Sequence, residues 1–193
     1  MKSVVVFCGS SAGNEPAYVQ QAYELGQALA KRGLTLVYGG AKVGLMGAVA
    51  DGALQANGKV IGVLPYFLQQ KELAHNDLTE LILVDTMHER KTKMNELSDA
   101  VIALPGGFGT MEELFEMLTW GQLGLHRKPV GLLNTNGFYD PLLQLAQTMN
   151  SKAFLTTENK EMLLHSNRID ELLVKLEQYQ PPLKTKWITP EKS

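Results

Sequence analysis

Three stretches of this chain combine glycine with groups able to hold a phosphorylated ligand. "CGSSAG" (residues 8–13) offers Gly9 and the hydroxyl of Ser10, and "YGGAKVGLMG" (38–47) offers Gly39 and Gly40. "PGGFGT" (105–110) offers Gly106, Gly107, Phe108, Gly109 and Thr110. Glycine lets backbone N–H groups approach an anion closely, and a helix that follows adds the positive end of its dipole. A single such turn needs no ligand, because strand-to-helix turns often require glycine for positive φ alone. Three in one chain favour a nucleotide or sugar phosphate. None matches G-x-x-x-x-G-K-S/T, and "GGFGTME" lacks the G-x-G-x-x-G spacing.

The third stretch continues into carboxylates. Thr110 and Glu113 stand at the T-x-x-E spacing of a capping box, a purely structural role. Glu112 and Glu116 raise the number of carboxylates beyond what a cap requires. At about 100° per residue, Met111, Leu114, Phe115 and Leu118 form one apolar stripe for a sheet, while Glu113, Met117 and Trp120 run down the opposite side. A helix apolar on two sides is covered twice, so a second helix or a partner subunit is expected over Met117 and Trp120. Glu113 would then border a semi-enclosed cleft. Such a place raises a carboxyl pKa and suits proton transfer or stabilisation of a cation.

A second signal lies in "MHERKTKMNEL" (87–97). Met87, Arg90, Met94 and Leu97 share one helical face, with Lys91 at its border and Lys93 on a solvated side. Arginine on such a stripe either binds an anion, pairs with a carboxylate at the core edge, or lays its stem along the apolar surface with its head in water. Met87 and Arg90 therefore join the candidate ligand-binding residues. The four histidines show no metal-ligand spacing, and Ser10 and Ser11 lack a G-x-S-x-G context, so Ser10 reads as a phosphate-contacting hydroxyl. Cys8, the single cysteine, excludes an internal disulfide and suits a reducing compartment; within an apolar run it reads as core.

The elements that must position these groups alternate. Apolar, β-branched runs at 3–8, 34–39, 59–65, 81–85, 100–105 and 129–134 are continuous, as expected for strands buried on both faces. Helical segments at 16–32, 45–57, 87–98, 110–124, 138–150 and 168–178 lie between and after them. This order predicts an open, mostly parallel α/β sheet with ligands at the carboxyl ends of its strands. With 193 residues, 45% hydrophobic, one domain over 1–180 is expected, followed by a polar tail, 181–193, that Trp187 could pin to the body or to a partner. A net charge of −2 supplies no basic field for nucleic acid or an anionic membrane, and no apolar run approaches the roughly 20 residues that span a bilayer. A cytoplasmic protein with a small-molecule partner is the expectation.

With "PGGFGTMEE" and "MHERK" both present, the chain resembles the LOG family of cytokinin-activating enzymes, whose signature P-G-G-x-G-T-x-x-E falls on Pro105, Gly106, Gly107, Gly109, Thr110 and Glu113. "FCGSSAGNE", "LVYGGAKVGLMG", "NDLTEL" and "ELFEMLTWGQLGLHRKPVGLLN" extend the likeness along nearly the whole chain. The resemblance implies a Rossmann-like, three-layer fold with helices on both faces of the sheet, a homodimer or larger assembly, no cofactor and no metal. It implies hydrolysis of the N-glycosidic bond of an adenosine 5′-monophosphate, often one substituted at N6. Its essential pair becomes Arg90 and Glu113; Gly107, Phe108, Gly109, Thr110, Met111 and Glu112 complete a cradle, with Lys91 and Thr119 nearby and Glu72 as a base contact. Gly121 stands where the family more often has alanine. The alternative is a non-catalytic nucleotide or cofactor binder of the same fold, like the molybdenum-cofactor carriers and nucleotide sensors. Amino-acid decarboxylation, the family's old label, is weaker, since no lysine is evidently placed for a pyridoxal Schiff base.

Overall fold

The computed structural model describes residues 1–69 and 74–182. Its strands are β1 (Ser3–Phe7), β2 (Thr35–Tyr38), β3 (Val60–Pro65), β4 (Glu80–Val84), β5 (Ala100–Ala103), β6 (Val130–Leu133) and β7 (Leu163–Ser166). The helices are α1 (Pro16–Lys31), α2 (Gly44–Gln55), α3 (Tyr66–Gln69), α4 (Met87–Glu96), α5 (Phe108–Leu123), α6 (Asp140–Ser151), α7 (Thr157–Glu161) and α8 (Ile169–Gln178). None of the described helices is long and apolar enough to cross a membrane.

The seven strands form one sheet in the order β4-β3-β2-β1-β5-β6-β7, every neighbouring pair parallel. The fold is therefore the Rossmann-like α/β sheet that the sequence implies, parallel throughout. One face buries Leu25 and Leu29 of α1, Val49 and Ala53 of α2, and Leu172 and Leu176 of α8; the other buries Met94 of α4 and Leu114 and Met117 of α5. Helices on both faces make three layers.

Two expectations about strands change. β4 is the outer strand on one side, with Glu80 exposed and the rest only half-buried, so its apolar run is not buried on both faces. β7, the opposite edge, pairs with β6 over Leu163 to Ser166 and was absent from the apolar runs, because "LLHS" is short and half polar.

The strand order decides where a ligand can enter. From β1 the chain winds outward through β2, β3 and β4, then returns to β5 on the other side of β1. Loops leaving β1 and β5 therefore diverge and open a crevice at their carboxyl ends, the switch point of such sheets.

Candidate active site

The three glycine turns meet at that crevice because Gly9 links them. Its N–H donates to the Pro105 carbonyl (3.0 Å) and its carbonyl accepts from the Leu45 N–H (3.0 Å). Close backbone approach needs the glycines: a Cβ on Gly44 would strike the Ser10 backbone, and one on Gly106 would strike the Thr110 hydroxyl. Gly107 and Gly109 face open space instead.

Helix α5 starts two residues earlier than its apolar pattern suggests. Gly107, extended at φ −93 and ψ −155, is the N-cap, and no side chain caps the helix. Thr110 thus lies inside the first turn, buried, and the capping box expected for Thr110 and Glu113 is not formed. The N–H groups of that turn lack a side-chain cap, at the positive end of the helix dipole and next to the Gly9–Ser10 turn, an arrangement suited to an anion. Glu113 sits deeper, in the second turn.

The inward face of α5 also differs from the sequence reading. Leu114 and Met117 are buried in the cluster under the sheet, Trp120 packs against that cluster, and Phe115 is 40% exposed. Met117 and Trp120 thus lie on the sheet side, not under a second cover. Of the expected stripe, Leu114 is buried and Met111 and Leu118 pack half-buried against the same cluster, so the sheet side takes in residues of both stripes and leaves out Phe115.

Arg90, on the buried face of α4 as its spacing predicts, is 7% exposed. Its Nε donates to the Val63 carbonyl (3.1 Å), in the second half of β3, and its Nη2 to the Gly39 carbonyl (3.2 Å), just past the end of β2. Gly39 permits this, since a Cβ there would collide with the guanidinium. The remaining nitrogen, Nη1, lies 4.0 Å from Glu113 Oε1. The two signals read separately in the sequence are one pair. Burial pushes the Glu113 carboxyl up from 4.5 to about 7, against the downward pull of Arg90; Glu112 and Glu116 add to the rise and Lys91 opposes it.

A cavity of about 370 Å³ surrounds the pair. Of the predicted residues, Gly9, Ser10, Gly39, Met87, Gly107, Phe108, Gly109, Thr110 and Glu112 line it with Arg90 and Glu113. Phe108 stands at its rim, 94% exposed. Gly40 and Gly106 lie behind the lining; Met111 packs half-buried against the sheet cluster, and Thr119 is exposed farther along α5. The Lys91 ammonium is held by Glu112 (2.5 Å) and Glu116 (3.0 Å). Glu72 lies outside the described residues, as does Trp187.

Sequence reasoning missed Met46, Leu68 and Met94, which with Met87 give the cavity an apolar, thioether-rich wall, and Cys8, which forms part of its floor. Burial pushes the Cys8 thiol far up, with the Glu113 charge adding to it and Arg90 opposing, which disfavours the thiolate. The methionines showed only as members of apolar stripes, a signal shared with any core residue. At Gly121 a methyl would meet the Met162 methyl, the end of a flexible side chain, and the edge of the His126 ring.

A family model described as "Possible lysine decarboxylase" matches residues 46–176. A protein of Oryza sativa subsp. japonica named probable cytokinin riboside 5'-monophosphate phosphoribohydrolase is 49% identical, over 91% of this chain and 79% of its own length. Another from the same plant, named cytokinin riboside 5'-monophosphate phosphoribohydrolase LOG, is 44% identical over 93% of this chain and 74% of its own. The chain belongs to the LOG family. Among solved structures, the molybdenum cofactor binding protein of Rippkaea orientalis is similar at 25% identity and a TM-score of 0.68, covering 92% of this chain and 96% of that one. The LOG chain thus shares its fold with a cofactor binder, and the site must separate the two functions.

Proposed function

We propose that this chain is a phosphoribohydrolase that cleaves the N-glycosidic bond of adenosine 5′-monophosphates, plain or N6-substituted, to free base and ribose 5-phosphate. The observation that carries the reading is Glu113 beside Arg90, 4.0 Å apart and with its side chain only 12% exposed, in a cleft flanked by an uncapped helix N-terminus. A carrier or sensor needs the anion site but has no use for a desolvated carboxylate next to it.

The roles follow from the bond broken. The first-turn N–H groups of α5, with Gly9 and Ser10, take the 5′-phosphate. Cleavage develops positive charge at C1′, which the Glu113 carboxylate stabilises while orienting a water that adds there. The departing base keeps the bonding electrons and gains one proton, while the water that adds at C1′ gives one up to Glu113. The water thus supplies both the hydroxyl on C1′ and, in balance, the proton on the base. Arg90, fixed by two carbonyls, acts at this reacting centre rather than on the phosphate, because its Nη1 lies beside Glu113. Met46, Leu68, Met87 and Met94 offer an adaptable apolar wall for a substituted base.

The reading extends to a single hydrolase domain over 1–180 with a tail at 181–193, in a cytoplasmic protein. It extends also to a homodimer, with Phe115 and Leu125, 40% and 43% exposed, as apolar groups for a partner copy. Chromatography of the purified protein incubated with AMP and with N6-isopentenyl-AMP tests the activity directly. Release of free base is expected from at least one, and intact nucleotide in both would sink the reading.

A further inference from the structure

Behind the cleft, two segments distant in sequence are joined by a histidine that the chemistry above does not use. After β2 the chain turns through Gly39 and Gly40, and Ala41 forms an isolated antiparallel bridge with Ala74. The next N–H, that of His75, donates to the Gly40 carbonyl (3.0 Å). The His75 ring is buried, 7% exposed, with Nε2 2.9 Å from Asp51 Oδ1 on α2, while Nδ1 accepts from the Asp77 N–H (3.2 Å). Because Nδ1 is an acceptor, the ring proton is assigned to Nε2, which donates to Asp51. The residue before Gly40 supplies the carbonyl that holds Arg90 Nη2.

We propose that His75, braced by Asp51, is a positioning residue for Arg90: it fixes the Gly39–Gly40 turn and thereby the place of the guanidinium beside Glu113. The turn needs such an anchor. It has no side chains of its own, and Gly40, at φ +81, occupies the left-handed region, so packing from outside must hold it. A wedged imidazole with both ring nitrogens bonded is a stiff support, and a reacting group must be held to within a fraction of an ångström. The inference rests on Arg90 and Glu113 being the reacting pair.

A purely structural histidine would not alter the titration of Glu113. Glu113 is faced by Arg90 and Lys91 from α4, by Glu112 and Glu116 from its own helix, and by Cys8 just past β1. Arg90 is the main influence pulling its pKa down, so a guanidinium that drifts away lets the carboxyl titrate at higher pH. Four variants test this: His75→Ala, His75→Gln, Asp51→Ala and Asp51→Asn. We expect His75→Ala to lower kcat about tenfold or more with KM changed by less than about threefold, as for a small misplacement of a catalytic group. The Glu113 titration, followed by carbon-13 NMR in the free protein, moves up in pH. His75→Gln, which keeps an N–H for Asp51, and Asp51→Asn, which keeps an acceptor, restore most of both readouts; Asp51→Ala shifts both in the His75→Ala direction.

The Asp51 side chain is 61% exposed, so its variants report even if His75→Ala fails to fold. Wild-type kcat and titration in Asp51→Ala and in any folded His75→Ala would overturn the proposal, and so would lost activity with the Glu113 titration unmoved. The NMR titration requires no turnover. Should Glu113→Gln hydrolyse nucleotide like the wild type, the reading of the site fails, while the titration still decides whether His75 holds Arg90.

Discussion

The chain contains the same short pattern twice, T-M-x-E at residues 86–89 and at 110–113, and the fold uses the two in opposite ways. At the first, Thr86 is the N-cap of α4, its hydroxyl accepts from the Glu89 N–H (3.1 Å), and the Glu89 carboxylate reaches back to the Asp85 N–H (2.8 Å). At the second, the helix has already begun at Phe108, Thr110 is interior, and Glu113 turns toward Arg90. The glycines make the difference. Gly107 takes the N-cap position, which moves the same tetrapeptide three residues into the helix and frees its glutamate from capping. One glutamate is exposed and spent on stability; the other is largely enclosed, with a raised pKa, and available for chemistry.

The largest test of this contrast is on activity. Glu113→Gln is expected to reduce base release by about a thousandfold, in the range of removing a charged group that acts on the transition state. Glu89→Gln, which still accepts from Asp85, is expected to stay within a few-fold of wild type. Comparable losses in both variants by the same chromatographic assay would erase the distinction.

A pH series on stability gives the next largest effect. The Glu113 pKa rises on folding from 4.5 to about 7, so the folded state holds this proton more tightly than the unfolded one. The associated stability is fully present below about pH 4.5 and is lost as pH rises through about 7, by at most about 3 kcal/mol. Glutamine has no charge to bury, so thermal melts should show Glu113→Gln gaining on the wild type between about pH 5 and about pH 8, by several degrees. A gap that stays constant across the series would mean Glu113 is not desolvated.

The smallest expected effect belongs to the true cap. Thr86→Ala should lower unfolding free energy by about 1 kcal/mol in urea titrations. The loss should be the same at both ends of that pH range, because a hydroxyl does not titrate there. A pH-dependent loss would imply that the Thr86 cap and the Arg90–Glu113 pair are coupled.

Much of the fold was legible because burial writes itself into local composition. Six of the seven strands are apolar runs, and Arg90 and Met94 stand on one stripe of α4 as their spacing requires. β7 escaped because an outer strand need be apolar on little of its surface, and "LLHS" resembles a loop. From spacing alone the active pair was legible only as two separate oddities, an arginine on an apolar face and more carboxylates than a cap needs; the family resemblance was what named them as a pair. That they touch depends on α4 and α5 lying against the same face of the sheet, a fact carried by strand order and by no local pattern.

The sequence by itself determined which groups were available: three glycine turns at strand ends, a buried-face arginine, a cluster of glutamates at the head of a helix, and a family signature specific enough to imply the reaction. Tertiary structure alone decided that Thr110 would not cap, that Met117 rather than Phe115 would face the sheet, and that His75 would stand behind the turn holding Arg90. The physical reason is common to all three. Local spacing lists the side chains on each side of an element, but only packing chooses which side loses its water, and desolvation sets both the helix orientation and the pKa of Glu113.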